Sequence, residues 1–274
     1  MFASDTRRAC WKMIATQYQE AKSKHELFDD LFNSSLRDGG LVLDLGCGHS
    51  SLLEAARRVA HFRLIGLDCA HEALTNNSDA DLKIVSDAAA VPIQQDTIDC
   101  ITSRFVLEHL TNPDAVFKEV ARILKPGGLF IVMTPNMFNP YVWAAKLIPN
   151  KYHSAILKAI SGCADVENFP TYYRVNTATR LNKVAGRAGL VHQHLLMYQP
   201  PPYALIFSRF LCLLGIWYCR LVRRVDGLKF LRSVIIAVYR KRATGQAPSS
   251  SDHGVASETA STTITKREST WHAG

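Results

Sequence analysis

The chain of 274 residues predicts an α/β fold, a doubly wound parallel sheet with helices on both faces. Three observations carry that prediction. Short apolar runs recur along the chain with helical segments between them, the pattern of strand–helix–strand units. Each of the first three runs ends in or beside an aspartate. The first run empties directly into Gly46-Cys47-Gly48, a turn almost without side chains.

Taken in order, residues 5–36 predict helix. Asp5 and Thr6 stand at its start, and Trp11, Ile14, Tyr18, Leu27, Leu31 and Phe32 recur at helical spacing. Residues 1–38 therefore read as an N-terminal helical segment, closed by Asp38-Gly39-Gly40. LVLDL (41–45) is a short apolar run, as expected for a strand buried on both faces. A helix is expected over Ser51–Ala60, then strands at RLIGLD (63–68), LKIVSD (82–87) and TIDCIT (97–102). Pro113–Leu124 predicts a helix with proline near its start, and Lys125-Pro126-Gly127-Gly128 predicts a stop before the strand LFIVMT (129–134). Thr177–Ala188 returns to helix, and LVHQHLLMY (190–198) and SVIIAVYRK (233–241) read as late strands.

Two regions depart from the alternation. Residues 135–175 hold Pro135, Pro140, Pro149 and Pro170 among aromatic residues, and an insertion of that length predicts a lid or acceptor loop. Residues 243–274 are rich in Ser, Thr, Ala and Gly, and predict a disordered tail. The domain proper is then expected over 39–242.

Composition excludes some functions. With 47% hydrophobic and 20% charged residues the chain is an ordinary globular one. Its net charge of +8 admits nucleic acid or an anionic surface as partners, or simply a basic solvated face. The seven cysteines form no CxxC pair and no histidine cluster has ligand spacing, so no metal site is expected. The N-terminus lacks an apolar signal core, and a cytoplasmic protein with reduced thiols is expected.

The Gly46–Gly48 turn can bend sharply and let a ligand approach the main chain. In open parallel sheets ligands lie outside the carboxyl ends of the strands, where strand order reverses. No Gly-Lys-Ser/Thr follows, which excludes a P-loop, and the third glycine of the dinucleotide fingerprint is missing. Asp44 lies near the end of the first strand, Asp68 ends the second and Asp87 the third. Singly each reads as a loop aspartate. Together they fit an adenosine-type ligand, with Asp68 able to hold both ribose hydroxyls and Asp87 able to accept from an exocyclic amine.

VLDLGCG, LIGLD, SDAAAVP, DTIDCITSRFVLEHL and ILKPGGLFIVMTPN, in that order, resemble the successive motifs of class I S-adenosylmethionine-dependent methyltransferases, closest to the group that includes many small-molecule methyltransferases. The resemblance is close over about 40–136 and looser to 241. It implies a Rossmann-like seven-stranded sheet whose last strand is antiparallel. It also implies roles: Asp44 and the Gly46, Cys47 and Gly48 backbone at the methionine end of S-adenosyl-L-methionine, Asp68 on the ribose, Asp87 with Ala88 at the adenine, Cys69 and Ala70 flanking the adenosine, Ser103 and Arg104 near the methionine portion and the acceptor. In some quinone-type relatives a Glu three residues before the Glu108-His109 pair joins it to bind a metal; here that position is Phe105, so no metal is implied.

His109 reads as a general base or as a helix-start residue bonded to the scaffold. Tyr173 and Arg174, in FPTYYR (169–174), read as acceptor-binding residues or as an aromatic plug. The apolar run Phe210–Cys219 has ten residues, where a membrane span needs about 20. With its basic flanks, 203–224 reads as a peripheral membrane helix or as one packed on the sheet or at a dimer contact. The expected acceptor is a small or lipid-linked molecule. A nucleic-acid methyltransferase is disfavoured because Thr102-Ser103-Arg104-Phe105 replaces an Asn-Pro-Pro-Tyr-type motif, and a non-catalytic cofactor-binding scaffold subunit is the reading from another class. Nothing in the sequence assigns an oligomeric state.

Overall fold

The computed structural model describes residues 2–18, 22–36, 38–51, 53–57, 60–146 and 169–243. Residues 147–168 of the expected lid and 244–274 of the expected tail lie outside them.

Strands β1 (Gly40–Leu45), β2 (Phe62–Asp68), β3 (Leu82–Val85), β4 (Ile98–Arg104), β5 (Leu124–Pro135), β6 (Leu190–Tyr198) and β7 (Val234–Lys241) form one seven-stranded sheet in the order β3-β2-β1-β4-β5-β7-β6. β1 pairs in parallel with both β2 and β4, and β7 is antiparallel to both β5 and β6. The order runs one way from β1 through β2 to β3 and the other way through β4 to β5. The crevice between those branches is the switch point at which such sheets bind ligands.

Alternation along the strands builds two cores. Val42 faces one layer while Leu43 and Leu45 face the other. Ile131 and Met133 on β5, with Ile236 and Val238 on β7, join Val42 against Phe28 and Phe32 of the second N-terminal helix. Phe130, Val132, Ile235 and Ala237 point the opposite way, against Phe117 and Val120 of the helix Pro113–Ile123. A strand buried on both faces is apolar at most positions, which is why these runs show no continuous polar face.

Helices α1 (Phe2–Tyr18), α2 (Lys24–Ser35), α3 (Glu54–Arg57), α4 (His71–Thr75), α5 (Pro113–Ile123), α6 (Pro140–Lys146), α7 (Ala178–Arg187) and α8 (Arg209–Arg224) surround the sheet. The single helix expected over 5–36 is two. Ser23 and Glu26 form a reciprocal capping box, with the Glu26 N–H donating to Ser23 Oγ at 3.1 Å and the Ser23 N–H to Glu26 Oε2 at 2.6 Å. That box starts a new helix. α1 begins before Asp5 and Thr6, so Asp5 lies in its first turn and does not cap it. Lys125–Gly128 also differs from expectation. β5 begins at Leu124, directly after α5, and runs through these residues, with an irregularity in the β4–β5 register between Ile98 and Cys100 that absorbs the extra length. Among the described residues no helix is long and apolar enough to cross a membrane.

Candidate active site

The turn after β1 is held by main-chain bonds. The Gly46 and Cys47 N–H groups donate to the Leu67 carbonyl at 2.7 and 3.2 Å, tying the turn to the end of β2. Gly46 has φ +72°, and a Cβ there would lie 2.2 Å from Val106 Cγ2. Both conformation and space demand glycine. The Gly48 N–H donates to Asp68 Oδ2 at 2.8 Å, and the Ala70 N–H donates to Asp68 Oδ1 at 2.9 Å. The carboxylate is thus fixed by two backbone donors, and each oxygen retains capacity to accept again. Asp87 lies two residues past β3, exposed, its Oδ1 accepting from the Ala89 N–H at 2.8 Å.

These groups open onto one cavity of about 620 Å³, within the range of small-molecule and cofactor sites. Gly46, Gly48, Asp68, Cys69, Asp87 and Ala88 line one side. Phe105, Val106, His109 and Phe169 line the other.

Three expected cofactor residues do not line it. Asp44 faces the α2 side of the sheet, 3% exposed. Its Oδ1 accepts from Thr102 Oγ1 at 2.6 Å, and its Oδ2 lies 3.9 Å from an Arg104 nitrogen. Burial pushes its carboxyl up to about 6, against the opposing pull of Arg104 and Thr102. Arg104 also stands over the Phe28 ring and 4.0 Å from Asp29, both on α2. The Cys47 thiol is buried, with Sγ 2.9 Å from where a Cβ on Gly66 would lie, and burial raises it to about 12. It is an inert packing group. Ser103 is fully buried on β4, and its Oγ has no hydrogen-bond partner among the described residues.

The segment after β4 carries the opposite wall. Phe105 takes a left-handed φ of +58°, and Leu107–His109 form a single 3-10 turn. His109 Nδ1 lies 2.9 Å from the Pro170 carbonyl, and its ring meets Phe169 edge-on. A carbonyl only accepts, so the contact puts the proton on Nδ1 and leaves the lone pair of the neutral ring on Nε2. The Glu108 carbonyl accepts from the Tyr172 and Tyr173 N–H groups at 2.7 and 3.1 Å, which pins FPTYYR across the cavity rim. Tyr173 sits at φ +51°. Burial raises its phenol, and the Glu108 carboxylate adds to that shift. Arg174 turns elsewhere, over the Tyr172 ring and into a separate cleft with Arg180 and Lys183.

Sequence reasoning missed a buried polar layer behind this wall. Glu108 Oε2 accepts from Thr134 Oγ1 at 3.1 Å, and the Asn176 amide donates to the same hydroxyl at 2.6 Å. Burial raises the Glu108 carboxyl. Lys24 lies with its Nζ 4.3 Å from the Phe105 ring centre, its ammonium lowered by burial and supported in part by Glu108. Nothing in the local sequence of α2 marks Lys24. Only the fold brings it beside β4.

Residues 43–132 match the family model described as "Methyltransferase domain". Over those residues the chain is similar to methyltransferase domains. It is 29% identical over 127 residues to the ubiquinone biosynthesis O-methyltransferase of Xanthomonas oryzae pv. oryzae, covering 43% of this chain and 52% of that protein. To the ubiquinone/menaquinone biosynthesis C-methyltransferase UbiE of Escherichia coli O1:K1 it is 27% identical over 146 residues, covering 44% and 58%. The chain thus spans only a little over half the length of these curated relatives. A solved methyltransferase in complex with the Haloferax volcanii Trm112 methyltransferase activator shares the fold, with TM-score 0.56, 20% identity and coverage of 86% of this chain and 97% of that one.

Proposed function

We propose that the chain transfers a methyl group from S-adenosylmethionine, in line, to an oxygen, nitrogen or carbon nucleophile of a small or lipid-like molecule. The observation that carries this reading is Asp68, fixed by two backbone N–H groups beside the Gly46–Gly48 turn in the switch-point cavity. The residues present fit the cofactor: a bend that only glycine can make, a pre-set carboxylate for the ribose hydroxyls, and Asp87 with the Ala88 backbone for the adenine amine. Cys69 flanks the adenosine. Asp44, with Thr102 and Arg104, holds the end of β1 in place, and Ser103 offers a buried hydroxyl near the methionine end.

When bound, the cofactor supplies a methyl group already activated on a sulfonium. The protein's part is alignment and proton handling. For a hydroxyl acceptor, His109 Nε2 takes the proton while the Pro170 carbonyl holds the ring by Nδ1. Tyr173 and the FPTYYR segment shape the acceptor side, and Arg174 steadies Tyr172. The ubiquinone names of two relatives support a phenolic, polyprenyl-type acceptor. The same reading gives Tyr203–Arg224 a peripheral contact with a membrane, which suits such an acceptor.

The test is transfer of labelled methyl by the full chain to polyprenyl phenols, simple phenols and amines. Label in a phenolic product, lost in His109→Gln, is expected. A protein that binds the cofactor but labels none of these acceptors would overturn the acceptor class.

A further inference from the structure

α8 carries two apolar stripes. The inner one, Cys212, Ile216 and Cys219, is buried, and Cys212 and Ile216 pack with Cys10 and Ile14 of α1. The outer one is Phe210, Leu213, Leu214 and Trp217, at helical spacing along one face. It lies in solvent, with Phe210 73% and Trp217 60% exposed. Trp11 of α1, stacked 4.9 Å from Tyr203, and Phe207 extend the exposed apolar residues beyond the helix.

This exposure is built in. A Cβ on Gly215 would lie 2.7 Å from Pro202 Cβ, so the inner face sits in close contact with the turn before it. The Tyr218 hydroxyl donates to the Leu231 carbonyl at 2.7 Å, and the Arg223 guanidinium donates to the Gln199 carbonyl at 2.6 Å. With its inner face locked, α8 cannot turn its outer stripe inward. Soluble chains rarely leave such a patch without a partner.

Charge identifies the partner. Between Tyr203 and Arg232 the basic residues are Arg209, Arg220, Arg223, Arg224, Lys229 and Arg232, against Asp226 alone, and Asp226 pairs with Lys229 at 2.9 Å. Arg209, Arg220 and Arg224 are exposed at the two ends of the stripe. A second copy on a two-fold axis would lay this basic rim on itself, which like-charge repulsion opposes. At 1.5 Å per residue the helix is only about 24 Å long, and its ends are charged, so it suits lying in a membrane plane and not crossing it.

We infer that the outer face of α8, with Trp11, Tyr203 and Phe207, docks the protein on an anionic lipid bilayer, the Phe, Leu and Trp side chains entering the interface while the arginines meet lipid phosphates. The inference rests on the peripheral membrane contact proposed above, extends it to α1 and names its lipid class. It is independent of methyl transfer.

The test is flotation of the full chain with vesicles of phosphatidylcholine alone or mixed with phosphatidylglycerol, alongside calorimetric binding of S-adenosylhomocysteine by the same preparations. The wild type should float with the anionic vesicles. Phe210→Glu with Trp217→Glu should weaken that binding about tenfold or more while leaving S-adenosylhomocysteine affinity unchanged, which shows the fold intact. Arg209→Gln with Arg224→Gln should weaken flotation on anionic vesicles only. Equal flotation of wild type and the glutamate variant would overturn the inference. So would no flotation by a wild type that the glutamate variant converts from dimer to monomer. Flotation without S-adenosylhomocysteine binding supports the docking face and counts against the cofactor reading alone.

Discussion

The two walls of the cavity are built by different means. The wall from β1 and β2 is main chain: Gly46, Cys47, Gly48 and Ala70 donate to Leu67 and Asp68 within two adjacent loops. The wall from β4 is side chains recruited from afar. His109 meets Pro170, Glu108 meets Thr134, and Lys24 of α2 stands over Phe105. Backbone cradles fix one ligand geometry, whereas side-chain walls can change with little cost to the fold. The comparison teaches that the first wall is conformationally fixed and the second is free to vary, which on the proposed function gives the cofactor to the first and acceptor choice to the second.

Substitutions can break or sharpen this contrast. The largest effect should come from Gly46→Val, which forces a side chain into Val106 at a positive φ. It should lower stability by about 3 kcal/mol, read by thermal melting, and remove cofactor binding. Asp44→Asn tests the support beneath the same wall. The Asp44 carboxyl is raised from 3.8 to about 6, so the fold favours its protonated form. Its contribution to stability is present below the unfolded value and is lost as pH rises through about 6. Between those limits the wild type should lose up to about 3 kcal/mol relative to the asparagine variant, seen in denaturant midpoints across pH.

On the side-chain wall, His109→Gln should leave cofactor affinity intact and lower kcat about hundredfold. The loss should come with little change in KM. The smallest effect should be that of Arg174→Ala. Arg174 lies in a cleft apart from the cavity, so cofactor affinity and kcat should stay within about twofold of wild type, the range of a neutral surface change. A large loss there would merge two regions that the geometry separates.

The same contrast governs what could be read from the sequence. The strands were legible because residues such as Val42, Leu43 and Leu45, and Ile235 to Tyr239, are buried on both faces of the sheet, and largely apolar runs record that. The backbone wall was legible because its conditions are local, a glycine at a positive φ and an aspartate at a strand end. Ser23-x-x-Glu26 also carried its signal, a capping box, although the apolar spacing through 5–36 masked the break. Lys24, Thr134 and Asn176 carried none, since their proximity to Glu108 comes only from tertiary folding. For Asp44 and Cys47 the motif gave no side-chain direction: strand alternation aims the Asp44 carboxyl at Arg104, and the turn aims the Cys47 thiol at Gly66.

The central claim is that the Asp68 and Gly46–Gly48 wall holds S-adenosylmethionine. Calorimetric titration of S-adenosylhomocysteine into the wild type and Asp68→Ala, with circular dichroism on both, tests it most directly. The account predicts saturable one-site binding by the wild type and its loss in a variant that remains folded. Equal binding by the two proteins, or none by a folded wild type, would contradict it.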